Sequence, residues 1–259
     1  FDIVFHLAGF KSVRESEIYP EDYIQNNIIG SINLLKLMIK YKIKNIIFSS
    51  SATVYGKQKT YIYKEKMKCS PINTYGITKK IVEDLIIKFN QRKKINYVIL
   101  RYFNPAGSHD SGLLGDNPKK IPENLFPFIT NIINGNFKNL KIFGKKYKTK
   151  DGTGARDYIH IDDLISAHIK SLKIIKKKES HIINVGSGKA FTVLEIIKAF
   201  EITKNCKIKY KFYPERKGDM GIYLTDNSKA RKVMDWKPKK TLNEICTSIF
   251  NYSKRVNEN

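Results

Sequence analysis

The chain has 259 residues, 41% of them hydrophobic and 28% charged, with 48 basic against 24 acidic side chains and a formal charge of +24. That composition excludes wholesale disorder and collagen-like repeats, and the length admits one large or two modest domains. Of the basic residues 41 are Lys and only 7 are Arg, with no tract longer than Lys176-Lys177-Lys178, so a nucleic-acid partner, which favours the planar Arg fork, is not expected.

The opening FDIVFHLAG places Ile3, Val4 and Phe5 in an apolar run that ends at Ala8-Gly9, the pattern of a buried parallel strand breaking into a loop. With no basic lead-in and no small-residue cleavage site, this start does not read as a signal peptide. It reads as the inside of a fold with an earlier part missing. Residues 22–41 carry Ile24, Ile28, Ile32, Leu35 and Ile39 as a helical stripe, and 45–50 form a second β-branched strand. A polar loop over 51–72 leads to a second helix over 74–92, with Ile77, Ile81, Leu85 and Phe89 on one face. Residues 97–101 make a third strand. This β-α-β-α-β order predicts a parallel sheet covered by helices.

Past Asn104 the pattern loosens into a long loop containing Gly107, Gly112, Gly115 and Pro118, then a helix over 124–134. DGTGARD, residues 151–157, precedes a helix over 162–175 and a strand over 181–186. Thr192 with Glu195, and Thr241 with Glu244, match the capping box, each opening a helix. A domain boundary is expected near 104, giving domains 1–104 and 105–259, with 152–186 returning to the first sheet. No run approaches the ~18 apolar residues of a membrane span. Cys69, Cys206 and Cys246 are odd in number and lack metal-ligand spacing, so no metal is expected and a reducing, cytoplasmic setting fits.

Gly186-Ser187-Gly188-Lys189 is not a Walker loop, because Ile183 stands where the first glycine belongs and Ala190 where Ser or Thr belongs. No G-x-G-x-x-G follows any strand. The chemistry points elsewhere, to Tyr and Lys four residues apart. On a helix such a pair shares a face, and an ammonium can bring a phenol, ordinarily near ~10, into the range of a usable base. Tyr55/Lys59 and Tyr213/Lys217 contain Gly56 and Pro214, which leaves Tyr75/Lys79 as the helical pair. The strand before that helix closes in Ser49-Ser50-Ser51, hydroxyls at the carboxyl end of a sheet where open α/β folds bind ligands.

SSSATVYG, SPINTYGITK and RYFNPAG together strongly resemble the extended short-chain dehydrogenase/reductase family, and HLAGFKSVRES, GTGARDYIH and the RKGD stretch resemble its branch that epimerises UDP-hexoses at C4. The resemblance covers essentially every residue. It implies a Rossmann-like doubly wound sheet, with its first βαβ part missing, and a smaller α/β substrate domain. The family's glycine-rich phosphate loop lies in an N-terminal stretch of about seventy residues. The chain by itself is therefore expected to be an inactive fragment. The implied reaction interconverts UDP-galactose and UDP-glucose by oxidation and re-reduction with bound NAD, usually in a homodimer.

Residue roles carried over from that resemblance are these. Tyr75 takes the proton of the sugar 4-hydroxyl, Lys79 binds the nicotinamide ribose and lowers the Tyr75 pKa, and Ser51 hydrogen-bonds the 4-oxygen. Leu7, Ala8, Gly9, Phe10 and Lys11 line the cofactor, with Asn26 nearby and Phe103 against the nicotinamide. Asn104 and Asn124 contact sugar and diphosphate beside Leu125, while Lys141, Ile142 and Phe143 lie beside the uracil. Arg156 and Arg216 neutralise the diphosphate, Asp219 accepts from the ribose, and Tyr223 excludes N-acetylated sugars. Ala52 and Thr53 stand where dehydratases carry an Asp-Glu pair, which disfavours water elimination. A decarboxylase or another epimerase of this fold, and a basic polyanion-binding protein, stay as rivals; binding that falls steeply with salt would mark the last.

Overall fold

The computed structural model describes every residue except Lys94, 118–121, Glu123, 217–218 and Asn259. Pro118 of the long loop, the Lys217 partner of Tyr213 and the Lys-Gly of the RKGD stretch therefore lie outside the described residues. Two compact units emerge. The first comprises Phe1–Phe103, Ser166–Val185 and Thr225–Lys237; the second comprises Asn104–Ile165, Gly186–Leu224 and Pro238–Asn259. The segment rejoining the first unit is thus Ser166–Val185 and not the whole of 152–186, and Thr225–Lys237 joins it. The reason is the strand Ala155–His160, which pairs inside the second unit with Asn104–Ala106 in parallel and with Ala190–Thr192 antiparallel.

The first unit is built on a parallel sheet of four strands, Val4–His6, Asn45–Ser51, Asn96–Tyr102 and His181–Val185 in that spatial order. Phe5 lies opposite Ile47, Ile47 opposite Val98, and Ile99 opposite Ile182. Ile46, Ile47, Phe48, Val98, Ile99 and Leu100 are all buried, which is why these strands read as unbroken apolar runs: both faces of a parallel sheet are covered. One face packs on Leu35, Met38, Val82 and Ile86, each worth about 1.5–3 kcal/mol of burial.

The two helices expected here bury part of their apolar stripes, Leu35 with Ile39 and Leu85 with Phe89 packing on the core, and polar positions join them there. The first runs as Pro20–Tyr23, a π-helical stretch Ile24–Ile29, and Gly30–Lys40. Its buried positions are Tyr23, Asn27, Ser31, Leu35 and Met38, while Ile24 is exposed. The second, Thr74–Lys93, buries Thr78, Lys79, Val82, Glu83 and Ile86 and leaves Ile77 and Ile81 in solvent. In each case polar side chains face inward because they have partners there.

The second unit packs helices Leu125–Ile133, Val193–Lys204 and Leu242–Glu258 around Phe126, Ile129, Ile142, Ile197, Phe200, Cys246 and Ile249. Leu140–Phe143 pairs in parallel with Tyr210–Tyr213. Both capping boxes form: Glu195 N–H donates to Thr192 and Thr192 N–H to Glu195, and Thr241 and Glu244 exchange the same two bonds. Among the described residues no helix is long and apolar enough to cross a membrane. All three cysteines are free thiols.

Candidate active site

The three serines that close strand Asn45–Ser51 each have a separate task. The Ser49 hydroxyl bonds the Tyr102 phenol at 2.6 Å, and its carbonyl accepts from Lys79 Nζ at 2.9 Å. The neighbouring first strand pairs only as far as His6 opposite Phe48, so Ser49 sits one residue beyond its reach. Ser50 donates to Glu83 Oε1 at 2.5 Å. Ser51 accepts from the Thr53 amide and hydroxyl at 3.2 and 3.0 Å, and it is the side chain that opposes the rise in the Tyr75 phenol.

Tyr75 and Lys79 lie one turn apart on helix Thr74–Lys93, as their spacing predicts. Lys79 is only 6% exposed. Its nitrogen stands 5.8 Å from the centre of the Tyr75 ring and 5.1 Å from that of Phe48. The electrostatics correct one expectation. Burial pushes the Tyr75 phenol above its usual range, and the group that opposes this is Ser51 through its hydrogen bond. Lys79 is itself drawn down to about 8 by burial, with the Glu83 carboxylate resisting. The spacing alone could not reveal this, because it says nothing of how deeply the pair is desolvated.

A depressed lysine sets a sign for stability. Below pH ~8 the folded protein holds a buried charge; between about 8 and 10.5 it holds a neutral amine while the unfolded chain keeps the proton. Wild-type stability measured against Lys79→Met should therefore rise across that window, by on the order of 3 kcal/mol. Urea unfolding at the two ends of the range checks this; a difference that is flat or falls with pH contradicts the burial.

The loop over residues 7–11 is exposed and is anchored by a residue the sequence reading passed over. Asn27 accepts from Phe10 N–H at 2.8 Å, and its amide donates to Phe10 O at 3.1 Å and to Thr78 Oγ1 at 3.2 Å. Asn26, the expected contact, is exposed and donates to Asn27 at 3.0 Å. Asn27 lies in the π-helical stretch, where an altered helical turn decides which asparagine faces inward, and no sequence signal announces it. Phe103 is 7% exposed, with its ring edge against Tyr63. A dinucleotide fits what these residues offer. Among the described residues Lys79 spends one of its three donors, on Ser49, and a Cβ on Gly9 would come within 3.4 Å of Lys79 Nζ. Glycine at position 9 keeps the space beside that ammonium open.

In the second unit, Arg156 Nη1 donates to Met220 O at 2.7 Å and Nη2 pairs with Asp219 at 3.3 Å. The Arg216 guanidinium lies 3.9 Å from the Phe143 ring centre, and Phe143 meets Tyr213 at 5.7 Å. Tyr223 is opposite Arg156 in the strand register. Arg156 is thus brought to Asp219 and Tyr223, and Arg216 to Phe143. Lys141 is exposed and lies over Tyr213, whereas the Ile142 side chain is buried in the core, so only its backbone can meet a ligand. Asn104 donates to Asp157 O at 2.8 Å, Asn124 is exposed just ahead of helix Leu125–Ile133, and Leu125 packs against the core.

The glycine loop over residues 186–189 holds an internal carboxylate. Asp157, fully buried, accepts from Ser187 N–H and Oγ, both at 2.6 Å, and from Gly188 N–H at 2.9 Å. Asp157→Ala should destabilise the protein by about 1–3 kcal/mol by orphaning those donors, read as a lower melting temperature; an unchanged melt contradicts that role. Asp110, His160 and Asp162 gather their ligand atoms within 4.8 Å of one another, and Lys240 already supplies the cation there, 3.0 Å from Asp110 and 3.9 Å from Asp162.

A phenol one helical turn from a buried ammonium, at the carboxyl ends of parallel strands, suits proton transfer coupled to hydride exchange. That places the chain among the short-chain dehydrogenase/reductases, with their Rossmann-like fold. The chain belongs to the family described as GDP-mannose 4,6 dehydratase, matched over residues 1–249, and within it to the UDP-glucose 4-epimerases. It is 39% identical to the UDP-glucose 4-epimerase of Bacillus subtilis over 99% of its own length and 76% of that relative's. Superposition on the UDP-glucose 4-epimerase of Stenotrophomonas maltophila, solved with bound NAD and formylated UDP-arabinopyranose, gives a TM-score of 0.97 at 37% identity, covering 99% of this chain and 77% of that one. The Bifidobacterium longum UDP-glucose 4-epimerase, in complex with NAD+ and UDP, gives 0.92 at 40% identity, covering 98% and 76%.

Proposed function

We propose that this chain carries the interconversion of UDP-galactose and UDP-glucose by reversible oxidation at C4, an isomerase reaction with NAD as cofactor. The observation that carries this reading is the convergence of Ser51, Tyr75 and Lys79 at the end of strand Asn45–Ser51. Tyr75 acts as the phenolate, formed with the cofactor and the Lys79 ammonium beside it; in that form it takes the 4-hydroxyl proton, and as the phenol it later returns it. Ser51, beside that phenol, holds the 4-oxygen. Lys79 binds the nicotinamide ribose and gives the developing phenolate a cation on its own helix face. NAD, held by Leu7, Ala8, Gly9, Phe10 and Lys11 with Asn26 and Phe103, supplies the hydride acceptor and donor.

Arg156 and Arg216 hold the diphosphate, Asp219 the ribose, Asn104 and Asn124 the sugar and phosphates beside Leu125. The 141–143 strand borders the uracil, and Tyr223 limits bulk at the sugar's 2-position. Ala52 and Thr53, in the turn that follows Ser51, bring no carboxylate for dehydration. Exposed Ile77 and Ile81 on the Tyr75 helix support a homodimer, and three free cysteines support a cytoplasmic home. Supplying UDP-galactose to the intact protein and assaying UDP-glucose tests the reaction. In the same protein Arg156→Leu should weaken UDP binding by about 10–100-fold, the loss of a charge-assisted contact. No conversion, with NAD bound, would reject the reading.

A further inference from the structure

Within the second unit Tyr147 occupies a place that nothing above assigns. Its ring fills space left by three glycines. A Cβ on Gly144 would collide with its Cε2, one on Gly221 would come within 3.1 Å of Cδ1, and one on Gly154 within 3.9 Å of Cε2. Those glycines flank Phe143, Arg156 and the segment bearing Asp219. Backbone bonds hold the arrangement. Tyr147 N–H donates to Gly152 O at 3.0 Å, Ala155 N–H to Gly221 O at 2.7 Å, and Gly144 N–H to Tyr213 O at 3.0 Å. The ring is clamped and its hydroxyl direction is fixed.

That hydroxyl is buried and has no hydrogen-bond partner among the described residues. Buried polar groups are nearly always paired, so an orphan calls for an explanation. The charged groups that act on it are Asp219, Glu215, Arg156 and Arg216; the two arginines are the ones assigned above to the diphosphate. Burial first, then the two carboxylates, raise the phenol above its usual range, so at neutral pH it is an O–H donor without an acceptor. Two arginines beside it would draw in an anion, and phosphate oxygens are strong acceptors.

We propose that Tyr147 is a further binding residue of the nucleotide-sugar site, its hydroxyl donating to a phosphate oxygen of the bound nucleoside diphosphate. This rests on the assignment of Arg156 and Arg216 to that diphosphate. Pairing the hydroxyl only in the complex makes it a source of affinity that the free protein does not use.

Calorimetric titration of UDP and of uridine into the intact protein, Tyr147→Phe and Arg156→Leu tests it. Tyr147→Phe should weaken UDP by about 10-fold, leave uridine unaffected, and melt without ligand at the wild-type temperature or above it, since the change deletes an unpaired buried hydroxyl. Unaltered UDP affinity, an equal loss for uridine, or a melt several degrees lower would each overturn the proposal. If Arg156→Leu also bound UDP as wild type does, the diphosphate assignment would fail first; if only Tyr147→Phe did, this proposal alone would fall.

Discussion

Tyr75→Phe should lower turnover by about 10²–10⁴-fold, the range for losing a positioned acid–base group, while UDP affinity stays at the wild-type value. The phenol stands on helix Thr74–Lys93 one turn from Lys79, so its removal deletes the proton carrier without disturbing the second unit, where the nucleotide is proposed to bind. Tyr75 N–H donates to Ser16 Oγ through the backbone, and phenylalanine keeps that bond. Steady-state kinetics beside UDP titration separate the two quantities. Near-wild-type turnover would remove Tyr75 from the chemistry; a matching loss of UDP affinity would mean that the substitution disturbed the fold.

The largest effect on stability is expected at Arg101, which is 3% exposed and gives a forked pair to Glu83: Nε to Oε1 at 2.9 Å and Nη2 to Oε2 at 2.6 Å. Its guanidinium also lies 4.8 Å from the Tyr55 ring centre, and Tyr55 donates to Asn184 at 2.6 Å. This network ties helix Thr74–Lys93 to three strands and fixes Glu83 one turn from Lys79. Arg101→Met strands the Glu83 carboxylate and should cost about 3–5 kcal/mol, a fall in melting temperature of roughly 10 °C. The double variant Glu83→Leu/Arg101→Met should recover most of that loss, because a buried pair replaced whole is often neutral. A single variant that melts like wild type would show the pair to be solvated.

What the sequence disclosed and what it hid divide along one line. Strands such as Asn45–Ser51 are written openly, since burial on both faces leaves an apolar run no other element needs. The Thr192 and Thr241 caps are equally plain, being local hydrogen-bond chemistry. Tyr75 and Lys79 were legible as a pair because one turn separates them. The polar part of both helices' inward faces was not, because Thr78, Lys79, Glu83, Asn27 and Ser31 are polar and buried only by virtue of distant partners; isoleucines at 77 and 81, which any periodicity count sends inward, lie in solvent. The same limit explains the sign of the Tyr75 shift and the anonymity of Tyr147, whose orphaned hydroxyl exists only in the folded second unit.

The central claim is that one carbon of the sugar loses and regains the same hydride while Tyr75 handles the proton. Incubating the intact protein with UDP-galactose deuterated at C4 tests it most directly. The account predicts UDP-glucose with the deuterium still at C4, and none of the label in solvent. Product labelled at C4 with hydrogen from water would contradict it.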